Sequence, residues 1–250
     1  MNHYKDKTVW IIGATDGIGK AITQKLADNG AKHLILSSRS DSKLKALSVS
    51  INCANSVYAF DVSNYDETIR QASSIFDKFK GIDSIIYLPA FYEPSLVSNI
   101  SRENLDKTID INLKAVFYFI DAVLPYIKSN PKCQLAITAS SAGYIGLPNS
   151  QPYGATKAAV ISLVESLKCE NSKLDIRLIN PSFVKTKLTD KNDFKMPAII
   201  TPELAADAVL KGLAGKKFEI HFNKKFTIIL KLISILPYSI YFKIAKKLAK

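Results

Sequence analysis

The sequence predicts an α/β fold, a doubly wound parallel sheet with helices on both faces, and two observations carry that prediction. Apolar runs of strand length recur along the 250 residues at "TVWII" (8–12), "HLILS" (33–37), "SVYAF" (56–60), "SIIYL" (84–88), "QLAIT" (134–138) and "DIRLI" (175–179), with helically spaced stretches between them. Strands that are apolar throughout belong to parallel sheets buried on both sides. The first run then passes directly into "GATDGIGKAITQKLADNG", where Gly13, Gly17 and Gly19 open a helix that stops at Asn29-Gly30. Right-handed crossovers between such strands leave the doubly wound sheet as the leading architecture.

Composition sets the outer limits. At 27.6 kDa and 47% hydrophobic residues the chain can bury a substantial core. The absence of a Gly/Ser linker, repeat or low-complexity stretch favours one domain, drawn here as 1–222, followed by a helical extension over 223–250. The amino terminus "MNHYKDKTVWIIGA" shows no secretory-signal pattern. Cys53, Cys133 and Cys169 have neither even number nor C-x-x-C spacing. A cytoplasmic protein with ordinary thiols and no metal site is therefore expected.

The net charge of +12 is concentrated at the end, where residues 216 to 250 hold nine lysines against Glu219 alone. No nucleic-acid module accompanies these charges, and long aliphatic runs interleave them, so no nucleic-acid partner is expected.

Chemistry begins at the glycines. Closely spaced glycines let backbone approach a pyrophosphate, and the helix that starts there turns its free N–H groups and positive dipole end toward the anion. Beyond the second strand, "LSSRSDSKL" places Arg39 where an adenosine ribose is usually met. An acidic residue there would bind the 2′-hydroxyl of NAD(H), whereas Arg suits the 2′-phosphate of NADP(H). Further on, "YGATKAAV" sets Tyr153 and Lys157 one helical turn apart, on one face. By itself this pair decides nothing, since about one Y-x-x-x-K is expected by chance in a chain of this composition.

Taken together, the residues resemble the short-chain dehydrogenase/reductase family over roughly the first 215 positions. The match comprises Gly13, Gly17 and Gly19; Asp61 in "AFDVS"; Asn112 in "INLKAVF"; Ser140 in "TASSAG", thirteen residues before Tyr153; "YGATK"; and Thr186 in "PSFVKT". The resemblance implies Asn112, Ser140, Tyr153 and Lys157 as catalytic residues. It also implies a cofactor site of Gly13, Thr15, Gly17, Ile18, Gly19, Arg39, Asp61, Tyr153, Lys157 and Thr186. In such a site Tyr153 exchanges a proton with the substrate oxygen, Ser140 hydrogen-bonds that oxygen, Lys157 holds the nicotinamide ribose, and Asn112 supports a water that relays protons. A charge on Lys157 at about 5 Å and effective dielectric about 20 would favour phenolate by roughly 3 kcal/mol, about two pKa units. The expected cofactor is NADP(H) rather than NAD(H), and "GATDGIGKA" is similar to the loop of NADPH-using 3-oxoacyl-CoA reductases. A homo-oligomer is also expected.

Four positions depart from the family pattern. Ile12 stands for Thr, Ser182 for Gly, and "YLPAFY" (87–92) for N-N-A-G, while Asp16 lies beside the phosphate loop, where its charge opposes a 2′-phosphate. Substrate recognition is expected from 187–200 and from the loops at 144–152 and 91–94, with Phe183, Phe194, Met196, Ile145 and Leu147 forming an apolar pocket for a carbonyl or alcohol.

The segment from 226 to 250 extends past the family pattern. Between Phe226 and Leu236 nearly all residues are apolar except a strip of Thr227, Lys231 and Ser234. After Pro237, Lys243, Lys246, Lys247 and Lys250 oppose Tyr241, Ile244 and Leu248. Lys231 and Pro237 interrupt what would have to be about 20 apolar residues in a bilayer span. Contact with a membrane surface, closure of the substrate pocket and an oligomer interface remain as alternatives.

Overall fold

The computed structural model describes residues 2–194 and 196–248. Its strands are β1 (Thr8–Ile12), β2 (His33–Ser38), β3 (Asn55–Ala59), β4 (Ser84–Tyr87), β5 (Gln134–Thr138), β6 (Ile176–Asn180) and β7 (Glu219–His221). They form one parallel sheet in the order β3-β2-β1-β4-β5-β6-β7. The expected doubly wound α/β architecture is thus the observed one, with strand limits within one residue of the apolar runs at most ends.

Alternation along the strands explains the layers. In β1, Trp10 and Ile12 point to one face and Val9 and Ile11 to the other, and all four are fully buried. Helices α3 (Tyr65–Lys78), α5 (Ala115–Ser129) and α6 (Tyr153–Glu170) cover the Trp10 face, whose core includes Phe119, Val123, Val160 and Val164. Helices α1 (Gly17–Asp28), α2 (Asp41–Ser50) and α7 (Pro202–Leu213) cover the other, through Ile22, Leu26, Leu44 and Val209. Between α4 (Arg102–Ile109) and α5, residues Asp110–Lys114 form one π-helical turn. Such turns are rare and frequent at functional sites.

The strand order reverses between β1 and β4, which opens a crevice at their carboxyl ends, the usual ligand position in open α/β sheets. Two final helices follow, α8 (Lys224–Ser234), which lines one end of this crevice through Phe226 and Leu230, and α9 (Tyr238–Leu248). Their inner residues Leu230, Ile233, Tyr241 and Ile244 pack with Tyr144, Ile145 and Leu147. The side chains of Lys246, Lys247, Leu248 and Lys250, part of the amphipathic pattern expected for this segment, lie outside the described residues.

An ionic and hydrogen-bonded cluster pins α8 to the sheet. Glu219 on β7 accepts from Lys231 Nζ, from the Tyr144 hydroxyl and, at 2.7 Å, from Asn180 Nδ2. Burial opposes the Glu219 carboxylate, but the hydrogen bonds from Lys231, Tyr144 and Asn180 outweigh it and hold the group below the usual range. A carboxyl held low when folded stabilises above its unfolded value near 4.5, and that stabilisation is lost as pH falls through the folded value. Glu219→Gln is accordingly expected to lower stability by about 1 kcal/mol at pH 7. The gap between the melting curves of the two proteins should shrink toward pH 4.

Candidate active site

The crevice is a cavity of about 1330 Å³. Gly13, Gly17 and Gly19 form its first wall, and their spacing has a steric cause. A Cβ on Gly19 would stand 2.1 Å from the Gly13 carbonyl oxygen, and Gly13 and Gly17 have φ of +84° and +50°. Only glycine lets α1 start this close to the end of β1. Asp16, at the head of α1, makes no capping hydrogen bond; its carboxylate pairs instead with Lys43 at 3.0 Å and Lys187 at 3.5 Å. The first-turn amides of α1 are left for an anion, and two lysines offset the Asp16 charge that counted against a 2′-phosphate.

Thr15, Ile18, Arg39, Asp61 and Thr186 all line the same cavity. Asp61 is oriented by Ser63, whose backbone N–H and hydroxyl donate to Oδ1 at 2.9 and 2.7 Å. Ser40 caps α2, with Lys43 in its first turn, and both line the cavity beside Arg39. Lys43 was not singled out from the sequence. The signal was its place four residues after Arg39, on a helix whose N-cap "S" is readable.

Farther in, Tyr153 is half-buried on the cavity wall and Lys157 lies beneath it, 1% exposed, with Nζ 5.5 Å from the phenol ring centre. Lys157 Nζ donates to the Thr138 carbonyl at 3.3 Å. Ser140 reaches the Tyr153 phenol, and its hydroxyl accepts from Ala142 N at 3.1 Å. Gly143 makes the arrangement possible, because a Cβ there would meet Ala158 N and the Lys157 carbonyl carbon, each at 2.7 Å. The loop after β5 therefore sits directly on α6, which brings Ser140, Tyr153 and Lys157 together.

The electrostatics differ from the lowered phenol expected from a neighbouring ammonium. Burial raises the Tyr153 value, with the Ser140 hydrogen bond acting against it. Burial likewise pushes Lys157 down, to about 8. Desolvation penalises the charged forms of both groups, and at the phenol it outweighs the Ser140 hydrogen bond.

Asn112 lies in the π-helical turn, fully buried and away from the cavity wall. Its Oδ1 accepts from Phe91 N at 2.7 Å and its Nδ2 donates to Phe91 O at 2.8 Å, with a longer contact to Thr156 Oγ1 at 3.4 Å. Among the described residues, none of its hydrogen bonds goes to Tyr153 or Lys157. Asn112 thus acts on "YLPAFY" as a clamp. Leu88, Pro89 and Ala90 of that segment line the cavity against Gly13, and Tyr92 stands edge-on to Tyr153 at 4.9 Å. Tyr92, whose hydroxyl donates to Asn192 Oδ1 at 2.7 Å, lies in the 91–94 loop expected to meet substrate, although nothing in the sequence distinguishes it within that loop.

At the far end Phe183, Phe194 and Leu147 line the cavity as expected, joined by Phe226 and Leu230 of α8. Ile145 and Met196 do not. Ile145 is buried in the α8–α9 cluster, and the Met196 sulfur accepts from Asn192 Nδ2 at 3.2 Å.

Residues 7–196 match the family described as short chain dehydrogenase. The chain belongs to the short-chain dehydrogenase family. Its relatives in that family include an uncharacterised oxidoreductase of Staphylococcus saprophyticus, 33% identical over 76% of this chain and 79% of the relative. Another, from Staphylococcus epidermidis, is 29% identical over 85% and 93%. Among solved structures, a short-chain dehydrogenase/reductase from Burkholderia phymatum in complex with NAD has the same fold, with TM-score 0.82, 20% identity, and 93% and 94% of the two chains covered. An alcohol dehydrogenase from Thermococcus sibiricus complexed with 5-hydroxy-NADP gives TM-score 0.78 at 23% identity, covering 86% and 95%. The family match stops at residue 196, before α7, α8 and α9.

A dinucleotide fits what the cavity offers. Glycines form a cradle that a Cβ would fill, and Thr138 Oγ1 and Ser182 Oγ, both on lining residues, are buried without a hydrogen-bond partner among the described residues. Buried hydroxyls without partners are costly unless a ligand supplies them.

Removing the Asn112 clamp would leave the Phe91 N–H and carbonyl unpaired in a closed setting. Asn112→Ala should therefore cost roughly 1–3 kcal/mol in chemical denaturation.

Proposed function

We propose that this chain is an NADP(H)-dependent oxidoreductase that interconverts a carbonyl and a secondary alcohol of an apolar substrate. The observation that carries the reading is the placement of the Tyr153 phenol, backed by Lys157 and reached by Ser140, in the cavity that the glycine loop opens. When bound, the dinucleotide supplies or accepts the hydride. Gly13, Thr15, Gly17, Ile18 and Gly19 would take its pyrophosphate, Asp61 its adenine end, and Thr138, Ser182 and Thr186 its nicotinamide end. Helices α5 and α6 would pair in a homo-oligomer through their outer faces, as the family's members commonly do.

Tyr153 holds the proton. Because burial favours its neutral form, the phenol is a proton donor at neutral pH, the state that carbonyl reduction requires. As the phenol oxygen hands its proton to the substrate oxygen, the Ser140 hydroxyl donates a hydrogen bond to that same oxygen and Lys157 stabilises the phenolate that forms. The alcohol-oxidising direction runs these transfers backward and first needs phenolate, so it should gain with rising pH. Phe183, Phe194, Leu147, Phe226 and Tyr92 exclude water from the reacting atoms and select an apolar substrate.

Cofactor choice rests on Arg39 and Lys43. A 2′-phosphate would find two cations there, and the Asp16 carboxylate is engaged by Lys43 and Lys187.

Titration followed by nicotinamide fluorescence should show NADPH binding roughly ten- to a hundredfold more tightly than NADH, with the preference lost in Arg39→Ala. Equal affinities in the unaltered protein would refute the cofactor assignment. In a screen of apolar ketones, Tyr153→Phe should reduce kcat by about a hundredfold or more, and retention of most turnover would remove Tyr153 from the acid–base role. Reduction should stay level below pH 8 and decline above it, as Lys157, with its value near 8, loses its charge.

A further inference from the structure

Helix α8 turns part of its polar strip inward beside the buried Leu230 and Ile233: Thr227 is fully buried with Oγ1 2.7 Å from His221 Nδ1, and Lys231 is held by Glu219. Its outward face is Ile228, Ile229, Leu232 and Ile235, exposed by 46 to 77%. After Pro237 the same surface continues on α9 with Tyr238 and Phe242, stacked at 5.7 Å and exposed by 75 and 56%. Seven of the sixteen large apolar side chains exposed among the described residues fall within 228–242. A concentration of this kind marks a surface that something apolar covers.

We propose that this face of α8 and α9 rests in the interfacial layer of an anionic phospholipid bilayer. Three observations select that occupant. Among the described residues no helix is long and apolar enough to cross a membrane, while two successive helices of 11 residues suit lying along its surface. From 216 to 250 the chain carries nine lysines and one acid, Glu219, and Lys231 already occupies that acid. Lys224, Lys225 and Lys243 are exposed beside the apolar face, where they meet anionic headgroups. A second copy packed face to face would bring the same lysines against each other, whereas lipid phosphates neutralise them. Tyr238 and Phe242 add the aromatic contacts that favour the headgroup level.

The docked face adjoins the cavity. Phe226 and Leu230, on the inner side of α8, line its substrate end. The substrate class that follows, resting on the oxidoreductase reading above, is an amphiphile that partitions into the bilayer and enters along α8, polar carbonyl or hydroxyl first toward Tyr153.

The test is co-sedimentation of the full chain with vesicles of phosphatidylcholine alone or mixed equally with phosphatidylglycerol. It is repeated for Ile229→Glu/Leu232→Glu and for Lys224→Glu/Lys225→Glu, none of which lines the cavity. Melting curves and NADPH titration show whether each variant is folded, and light scattering gives the oligomeric state without lipid. At least tenfold tighter binding to the anionic vesicles is expected, reduced tenfold or more in both variants. Failure of the unaltered chain to bind anionic vesicles would overturn the proposal. So would undiminished binding by Ile229→Glu/Leu232→Glu, or a smaller assembly for that variant alongside a non-binding parent, which would make the face an interface between copies. Sedimentation needs neither cofactor nor turnover, so failure of docking and failure of the oxidoreductase reading remain distinguishable.

Discussion

A lysine ammonium with 1% of its surface exposed is the constraint around which this active-site region is built. Burying such a charge is unfavourable unless hydrogen bonds and nearby dipoles compensate, and its hydrogen-bond partner among the described residues is the Thr138 carbonyl at the end of β5. That bond ties α6 to the carboxyl edge of the sheet. It requires the loop after β5 to sit flat on α6, which Gly143 alone permits because a side chain there would strike the α6 backbone. With α6 fixed in this way, Tyr153, one turn earlier, necessarily reaches the cavity and Ser140 comes to its phenol. The proton-bearing group and its neighbours are consequences of where Lys157 is held.

The segment 87–92 shows how a departure from a family pattern can leave the site standing. Asn112 holds Phe91 by both backbone polar groups, so the path of this segment is set by the π-helical turn opposite and not by its own side chains. Side-chain identity is then free to vary, and here it makes the wall apolar and aromatic. Leu88 and Pro89 press on Gly13, and Tyr92 stands against Tyr153. Burial raises Tyr92 itself to about 12, so it remains an uncharged neighbour at any physiological pH and adds no negative charge beside the phenol.

What could be read from the sequence follows the range of the interactions involved. Strand limits were legible because burial on both faces leaves a continuous apolar run, and the glycine loop because close backbone approach admits no other residue. Lys43 and Lys187 were not, since their pairing with Asp16 joins positions far apart in the chain. The loop of Tyr92 is legible as a substrate-facing one, but its contact with Tyr153 is not, for the same reason: only the packing of β4 beside β5 brings the two together. The direction of the Tyr153 shift is not legible either, because a Lys157 charge in a moderately polar medium would lower the phenol, whereas burial, which only the fold sets, desolvates both partners. In α8, periodicity identified the strip of Thr227 and Lys231 but not which way it faced. That depended on His221 and Glu219 in β7, whose position the strip itself does not encode.

The two faces of α8 belong to one rigid element. Lys231 and Thr227 fix its rotation about its own axis, and this rotation determines both which residues enter the cavity and which remain outside. A turn of the helix that hid Ile229 and Leu232 would withdraw Phe226 and Leu230 from the substrate end and break the Glu219 pairing. The exposed apolar surface is therefore the geometric counterpart of the closed cavity. Its cost in water is tolerated because the same rotation completes the apolar wall opposite Phe183, and any apolar layer covering the outer face acts in the same direction as the latch that holds the inner one.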